Sequence, residues 1–176
     1  MPLFSFEGKS PRIHPKAFIA ATATIIGDVE IEEGCSIWYG VVLRGDFAPI
    51  VIRKGANVQD NSVIHSQPEL PTEVGANATI AHSCTVHSAT IGEAALIGNG
   101  SVVLDGAVVG AGSLVAAGST VGANAQIPPG VLAAGSPAVV KRELSGEAAM
   151  WVRENPLAYI ELGQRHRLGV ERVERG

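Results

Sequence analysis

Residues 91–133 read IGEAALIGNGSVVLDGAVVGAGSLVAAGSTVGANAQIPPGVLA. A bulky aliphatic residue returns at every sixth position: Ile91, Ile97, Val103, Val109, Val115, Val121 and Ile127, with Ala133 closing the run. A helix repeats about every 3.6 residues and a flat strand every two, so neither accounts for six. A short strand followed by a tight corner, repeated, does. A sandwich of many short strands has no reason to keep one phase through so many hexads. The hexad is the sequence signature of a parallel β-helix, in which three hexads close one triangular coil.

The same phase runs through the rest of the chain. It starts at Ile13 and continues through Ile19, Ile25, Ile31, Ile37 and Leu43. After a three-residue insertion it resumes at Ile52, Val58 and Ile64, and after four more inserted residues at Val74, Ile80 and Val86. One residue is then dropped before Ile91. Four places after most of these positions stands a small or slender residue, such as Ala17, Ala23, Cys35, Ala95, Ser101 or Ser113, which suits a tight inner corner. Twenty such hexads make about seven coils, a prism roughly 30 Å long at about 4.8 Å per coil. The expected fold is therefore mainly β: a parallel β-helix over residues 1–140, followed by a helical segment over 141–176 that packs on the prism as part of the same domain.

Composition agrees and excludes several classes. Apolar residues make up 46% of the 176-residue chain and charged residues 17%, so a packed core is available and a disordered charged chain is excluded. Aromatics are only 5%, which leaves the core to small aliphatics. The net charge of -4 gives no general attraction to nucleic acid or to anionic membranes. No apolar run approaches the ~18 residues of a membrane span. The start, MPLFSFEGKSPR, lacks the basic-then-apolar pattern of a signal peptide. Cys35 and Cys84 both fall on the small inward position of a hexad, on different faces, and are expected to be buried free thiols without a metal role. Together these features suggest a cytoplasmic protein with neither nucleic-acid nor membrane partners.

The hexads stop after Pro137. Ser145 reads as a helix cap with Glu147 in the first turn, and EAAMWVREN is helical in composition. Asn155-Pro156 reads as a second cap, opening a second helix from about Pro156 to Leu168 with Leu157, Ile160 and Leu168 toward one side.

The register also places the histidines. His65 follows Ile64 and His87 follows Val86, so both stand one place after the inward residue of the same face in adjacent coils. Neighbours alternate in and out along a strand, so the two histidines stack on the outside, with Arg44, after Leu43, in the same column. His82 lies two places after Ile80 on another face, with Asp60 one coil below it and Gln59 beside Asp60. Five nearly extended residues, roughly 16 Å of chain, separate His82 from His87, so one ion cannot easily be held by all three histidines of one chain. A threefold assembly would bring the corner of one prism against the face of the next. Three histidines and an open position suit a catalytic zinc. His14 and His166 read as solvated surface residues.

Arg44-Gly45-Asp46, Ile52, Asn57-Val58-Gln59-Asp60, His65, His82 and His87, together with Gly27-Asp28-Val29 and the stretch IPPGVLAAGSPA over 127–138, resemble the gamma-class carbonic anhydrase family across nearly the whole chain. The resemblance implies a left-handed β-helix, a homotrimer, and zinc (or iron or cobalt) between subunits, held by His65 and His87 of one chain and His82 of the next. It implies reversible hydration of CO2 to bicarbonate by a zinc-bound hydroxide. By the same resemblance Gln59 hydrogen-bonds the metal-bound water with Asn57 nearby, Arg44, Asp46 and Asp60 form an ionic network at the interface, and Tyr159 matches a tyrosine near the metal. The chain departs from the family's best-characterised active member, which has a long acidic loop with a shuttle glutamate after the first histidine and another glutamate after the RGD-type motif: here Phe47 follows Asp46, and the segment after His65 is short, with only Glu69 and Glu73 available as substitutes. The metal site is thus implied more directly than the turnover. Two other readings stay open, a non-catalytic metal-binding or accessory protein and a hexapeptide acyltransferase. The acyltransferases carry a long protruding loop, whereas the longest insertion here is four residues.

Overall fold

A computed structural model describes residues 2–173; residue 1 and residues 174–176, which the sequence reading places in the first and last segments, lie outside it. Strands of mostly two or three residues, each ending at a corner, wind into a left-handed parallel β-helix of about seven turns with one C-terminal helix. The pairing follows the hexad register. Ile25 pairs with Leu43, Leu43 with Ile64, Ile64 with Val86, Val86 with Val103 and Val103 with Val121. Ile37, Val58, Ile80, Ile97, Val115 and Ala133 form the equivalent column on another face. Both columns are fully buried and form the core. Each such Ile, Leu or Val contributes about 1.5–3 kcal/mol when removed from water. Serines at the inner corners are satisfied by the neighbouring coil's backbone: Ser62 Oγ donates to Ala81 O at 2.7 Å and Ser113 Oγ to Pro128 O at 2.6 Å.

Two of the three faces belong to one 12-stranded sheet, because Thr24–Ile31 and Val42–Ile52 run on around a corner instead of breaking there. The third face is an 8-stranded sheet running from Phe18–Ile19 to Val131–Gly135 and ending in an antiparallel strand, Ala138–Glu143. The hexads do stop after Pro137, but the chain first turns back along the last coil before entering the helix.

The tail corrects the sequence reading. One helix, Gly146–Gly169, runs through Pro156 where two were expected. Proline removes a single hydrogen bond from the helix interior, and docking of the helix on the third face holds it continuous. Ser145 makes no side-chain cap; its Oγ instead accepts a hydrogen bond from Arg142 Nη1 at 3.3 Å. The buried positions are Val152, Pro156 and Gly163. Leu157 and Leu168, expected on the packed side, are exposed at 63% and 83%. Gly163 eases the approach: a Cβ there would lie 3.1 Å from Ser36 Cβ and 3.3 Å from Phe18 Cβ, so its neighbours would have to give by a few tenths of an ångström. His166, read as solvated, is clasped by the same packing. Its ring lies 4.8 Å from Trp38 and 5.6 Å from Phe18, and its Nδ1 is 3.1 Å from the Tyr39 hydroxyl. Among the described residues no helix is long and apolar enough to cross a membrane. Cys35 and Cys84 are buried and unpaired, and burial pushes the Cys35 thiol up to about 12.

Candidate metal centre

The residues singled out by the register fall into two clusters. On the first face, Arg44 pairs with His65 and His65 with His87 in successive coils. The rings of His65 and His87 are 5.0 Å apart, and His65 Nδ1 lies 3.0 Å from His87 Nε2. The far nitrogen of each ring meets a carboxylate: His65 Nε2 is 2.9 Å from Asp46 Oδ1, and His87 Nδ1 bonds Asp105 Oδ1. Arg44 in turn donates to Asp46. Burial pushes the Asp46 carboxyl up, but hydrogen bonds from Arg44 and His65 outweigh it and hold the group below the usual carboxylate range.

The backbone beneath this cluster is unusually close. A Cβ on Gly45 would lie 2.5 Å from the carbonyl oxygen of Asp28, and one on Gly27 would lie 2.5 Å from that of Gly45. The two glycines sit where the pairing of their strands slips by a bulge, and the side chains of Arg44 and Asp46 start from either side of it. Phe47 is 60% exposed with its ring 5.8 Å from that of His65.

The second cluster lies on the helix-bearing face. His82 Nδ1 is 3.0 Å from Asp60 Oδ2, one coil below. Gln59, Thr79, His82, Asn155 and Tyr159 line a groove of about 910 Å³ between this face and the C-terminal helix. Gln59 Nε2 donates to Asn57 Oδ1 at 3.0 Å, Asn57 Nδ2 to Thr79 Oγ1 at 2.8 Å, and Thr79 Oγ1 to Asn155 Oδ1 at 3.0 Å. Burial, then the charge of Asp60, raises the Tyr159 hydroxyl above its usual range. Among the described residues of one chain, no three His, Cys, Asp or Glu side chains converge on one point.

The hydrogen bonds around His65 and His87 leave two ring nitrogens facing each other. A neutral imidazole has one N–H and one lone pair. With the N–H of His65 turned to Asp46 and that of His87 turned to Asp105, the two facing nitrogens both carry lone pairs. Two lone pairs 3.0 Å apart repel unless a cation sits between them. Tetrahedral zinc, with bonds near 2.0–2.1 Å, would hold two such nitrogens roughly 3.3 Å apart, so the residues fit. Ligand histidines almost always give their other N–H to a carboxylate or carbonyl. His82 stands within ion-pair distance of Asp60, without an aligned hydrogen bond.

Asp105 is absent from the sequence reading. Its signal was there: it stands two places after Val103, one coil above His87 and one place further on. Thr79 and Asn155 were also missed, and nothing in the repeat pattern marks a helix residue as their neighbour. Of the two candidate shuttles, Glu73 is tied to Arg53 Nε at 2.8 Å, and Glu69 sits exposed in a tight turn.

Comparison with known proteins places the chain among hexapeptide-repeat proteins. The family model for bacterial transferase hexapeptide (six repeats) matches residues 10–45 and 88–123. A carbonic anhydrase of Geobacillus kaustophilus is 42% identical over 162 residues, spanning 92% of this chain and 89% of its own. The chain belongs to the gamma-class carbonic anhydrase family. The mitochondrial gamma carbonic anhydrase 2 of Arabidopsis thaliana is likewise 42% identical across 93% of the chain, which spans 61% of that relative's length. The carnitine operon protein CaiE of Proteus is 39% identical, covering 97% of this chain and 86% of its own. Among solved structures, a Bacillus cereus protein assigned to the acetyltransferases superposes with a TM-score of 0.92 at 41% identity, covering 94% of this chain and 96% of its own.

Proposed function

We propose that the protein is a homotrimeric gamma-class carbonic anhydrase, catalysing the reversible hydration of CO2 to bicarbonate. Zinc, or iron or cobalt, would be held by His65 and His87 of one subunit and His82 of the next. The observation that carries this reading is the pair of facing ring nitrogens, 3.0 Å apart, on two rings whose other nitrogens both meet carboxylates. When bound, the metal supplies a Lewis acid that brings the pKa of a water toward ~7.

The chain's own residues supply the rest. Asp46 and Asp105 keep the N–H of His65 and His87 turned away from the shared point, and Asp60 stands beside His82. Arg44 keeps Asp46 in place. Gln59 stands in the groove as a hydrogen-bond partner for the reacting water, and Tyr159 closes the same groove beside His82. The segment after His65 is a tight turn closed by Gln67 and Leu70. It offers no protruding arm of the kind the acyltransferases use.

Two measurements test the proposal. Stopped-flow hydration on zinc-loaded and iron-loaded protein should show CO2 turnover; a metal-loaded trimer without turnover would leave the accessory role. Reassembly of two variants, His82→Ala and His65→Ala, tests the shared site. A mixed trimer regains one complete site, at the interface that combines the intact face of each. Confirmed mixing without recovered metal overturns the ligand set.

A further inference from the structure

The amides between the prism and the C-terminal helix form a chain with a direction. Gln59 donates to Asn57, Asn57 to Thr79, and Thr79 to Asn155, over 3.0, 2.8 and 3.0 Å. Asn57 is fully buried, Thr79 is 2% exposed and Gln59 is 3% exposed, so water does not compete along the chain. Amides and hydroxyls both donate and accept. The chain could therefore run the opposite way with every bond retained. In that reversed state Gln59 would accept from Asn57 and turn its NH2 toward the groove. In the observed state its NH2 is turned to Asn57, and its carbonyl Oε1 is the acceptor left for the groove that His82 and Tyr159 also line. In either state the chain ends on the helix, at Asn155.

We infer that Asn155 is a positioning residue of the site: through Thr79 and Asn57 it holds the Gln59 amide in place at the groove. The role of Gln59 rests on the anhydrase reading, in which it takes a hydrogen bond from the reacting water. The link from Asn155 to Gln59 does not rest on it. One consequence is that the helix, which touches neither His65 nor His87 through Asn155, still holds the amide that Gln59 presents.

The test follows hydrogen exchange at the Gln59 side-chain amide in metal-free protein labelled with nitrogen-15 glutamine. In Asn155→Ala the chain loses its terminal acceptor, and exchange should quicken roughly tenfold, as for the loss of about one hydrogen bond. Asn155→Asp, which can only accept from Thr79, should restore slow exchange. Thr79→Val should reproduce the loss and Thr79→Ser reverse it. Unchanged exchange in Asn155→Ala, with the helix still docked by the fluorescence of Trp38, would overturn the inference; so would failure of Asn155→Asp to restore it. In zinc-loaded protein, Asn155→Ala should lower kcat for hydration with little change in KM. A zinc-loaded wild type that does not hydrate CO2 overturns the anhydrase reading alone, because the amide exchange still decides whether Asn155 holds Gln59.

Discussion

Replacing Gly45 by alanine should damage both the fold and the metal centre through one atom. The added Cβ would sit 2.5 Å from the carbonyl oxygen of Asp28 and 3.0 Å from its carbon, both backbone atoms with no rotamer to escape into. Ordinary contact begins at 3.4 Å, so strands Thr24–Ile31 and Val42–Ile52 would have to part by about 0.9 Å at the bulge, an overpacking strain of about 1–3 kcal/mol. For a chain of this length each kcal/mol lowers Tm by roughly 2–4 °C, giving a fall of roughly 2–12 °C. The same displacement moves Asp46 against its 2.9 Å bond to His65, and losing such an outer partner typically weakens metal binding 10–100-fold. Thermal unfolding of metal-free protein and a chelator competition for zinc read the two effects separately. The control is Gly122→Ala, where φ is unstrained and nothing lies within 4 Å of the new atom; its stability should change by no more than about 0.5 kcal/mol. If Gly45→Ala matches Gly122→Ala in both assays, the close approach does not constrain the site.

Asp105→Asn should weaken zinc binding roughly 10–100-fold with little loss of stability, since it turns His87 without entering the core; the same chelator competition checks it. Cys35 and Cys84 should resist thiol reagents in native protein and react fully once unfolded, because burial raises both thiols, Cys35 to about 12. Rapid labelling of the native protein would refute that. Glu33 lies between Lys16 and Lys54, whose hydrogen bonds lower its carboxyl from 4.5 to about 2. A folded pKa below the unfolded one means stabilisation that is full above pH 4.5 and lost as pH falls toward 2. Urea midpoints of wild type and Glu33→Gln should therefore differ most near neutral pH and converge at the acid end.

The prism was legible because its signal is periodic and each coil repeats the same local problem. Placing Ile64 and Val86 inward was enough to stack His65 on His87 and to set Asp60 under His82. The tail carried no such repeat. Asn155-Pro156 looks like a helix start when read locally; its continuation depends on Gly163 settling against Phe18 and Ser36, a contact more than a hundred residues away in sequence. Asp105 lay within reach of the same register but one place beyond the column that held the histidines. The link from Asn155 to Gln59 was out of reach, because it joins a helix face to a prism face and no spacing along the chain encodes that docking.

A stack of parallel coils has an inherent hazard: its last rung offers unpaired backbone groups on which another molecule could continue the same winding, end upon end. On the helix-bearing face this chain blocks that growth by sending Ala138–Glu143 back along Val131–Gly135 in the opposite direction. The returning strand occupies the edge with an antiparallel partner that cannot serve as the next parallel coil, and it carries Lys141, Arg142 and Glu143 into solvent. On that face the prism's finite length is thereby written into its closing hairpin, which denies the next molecule a rung to extend.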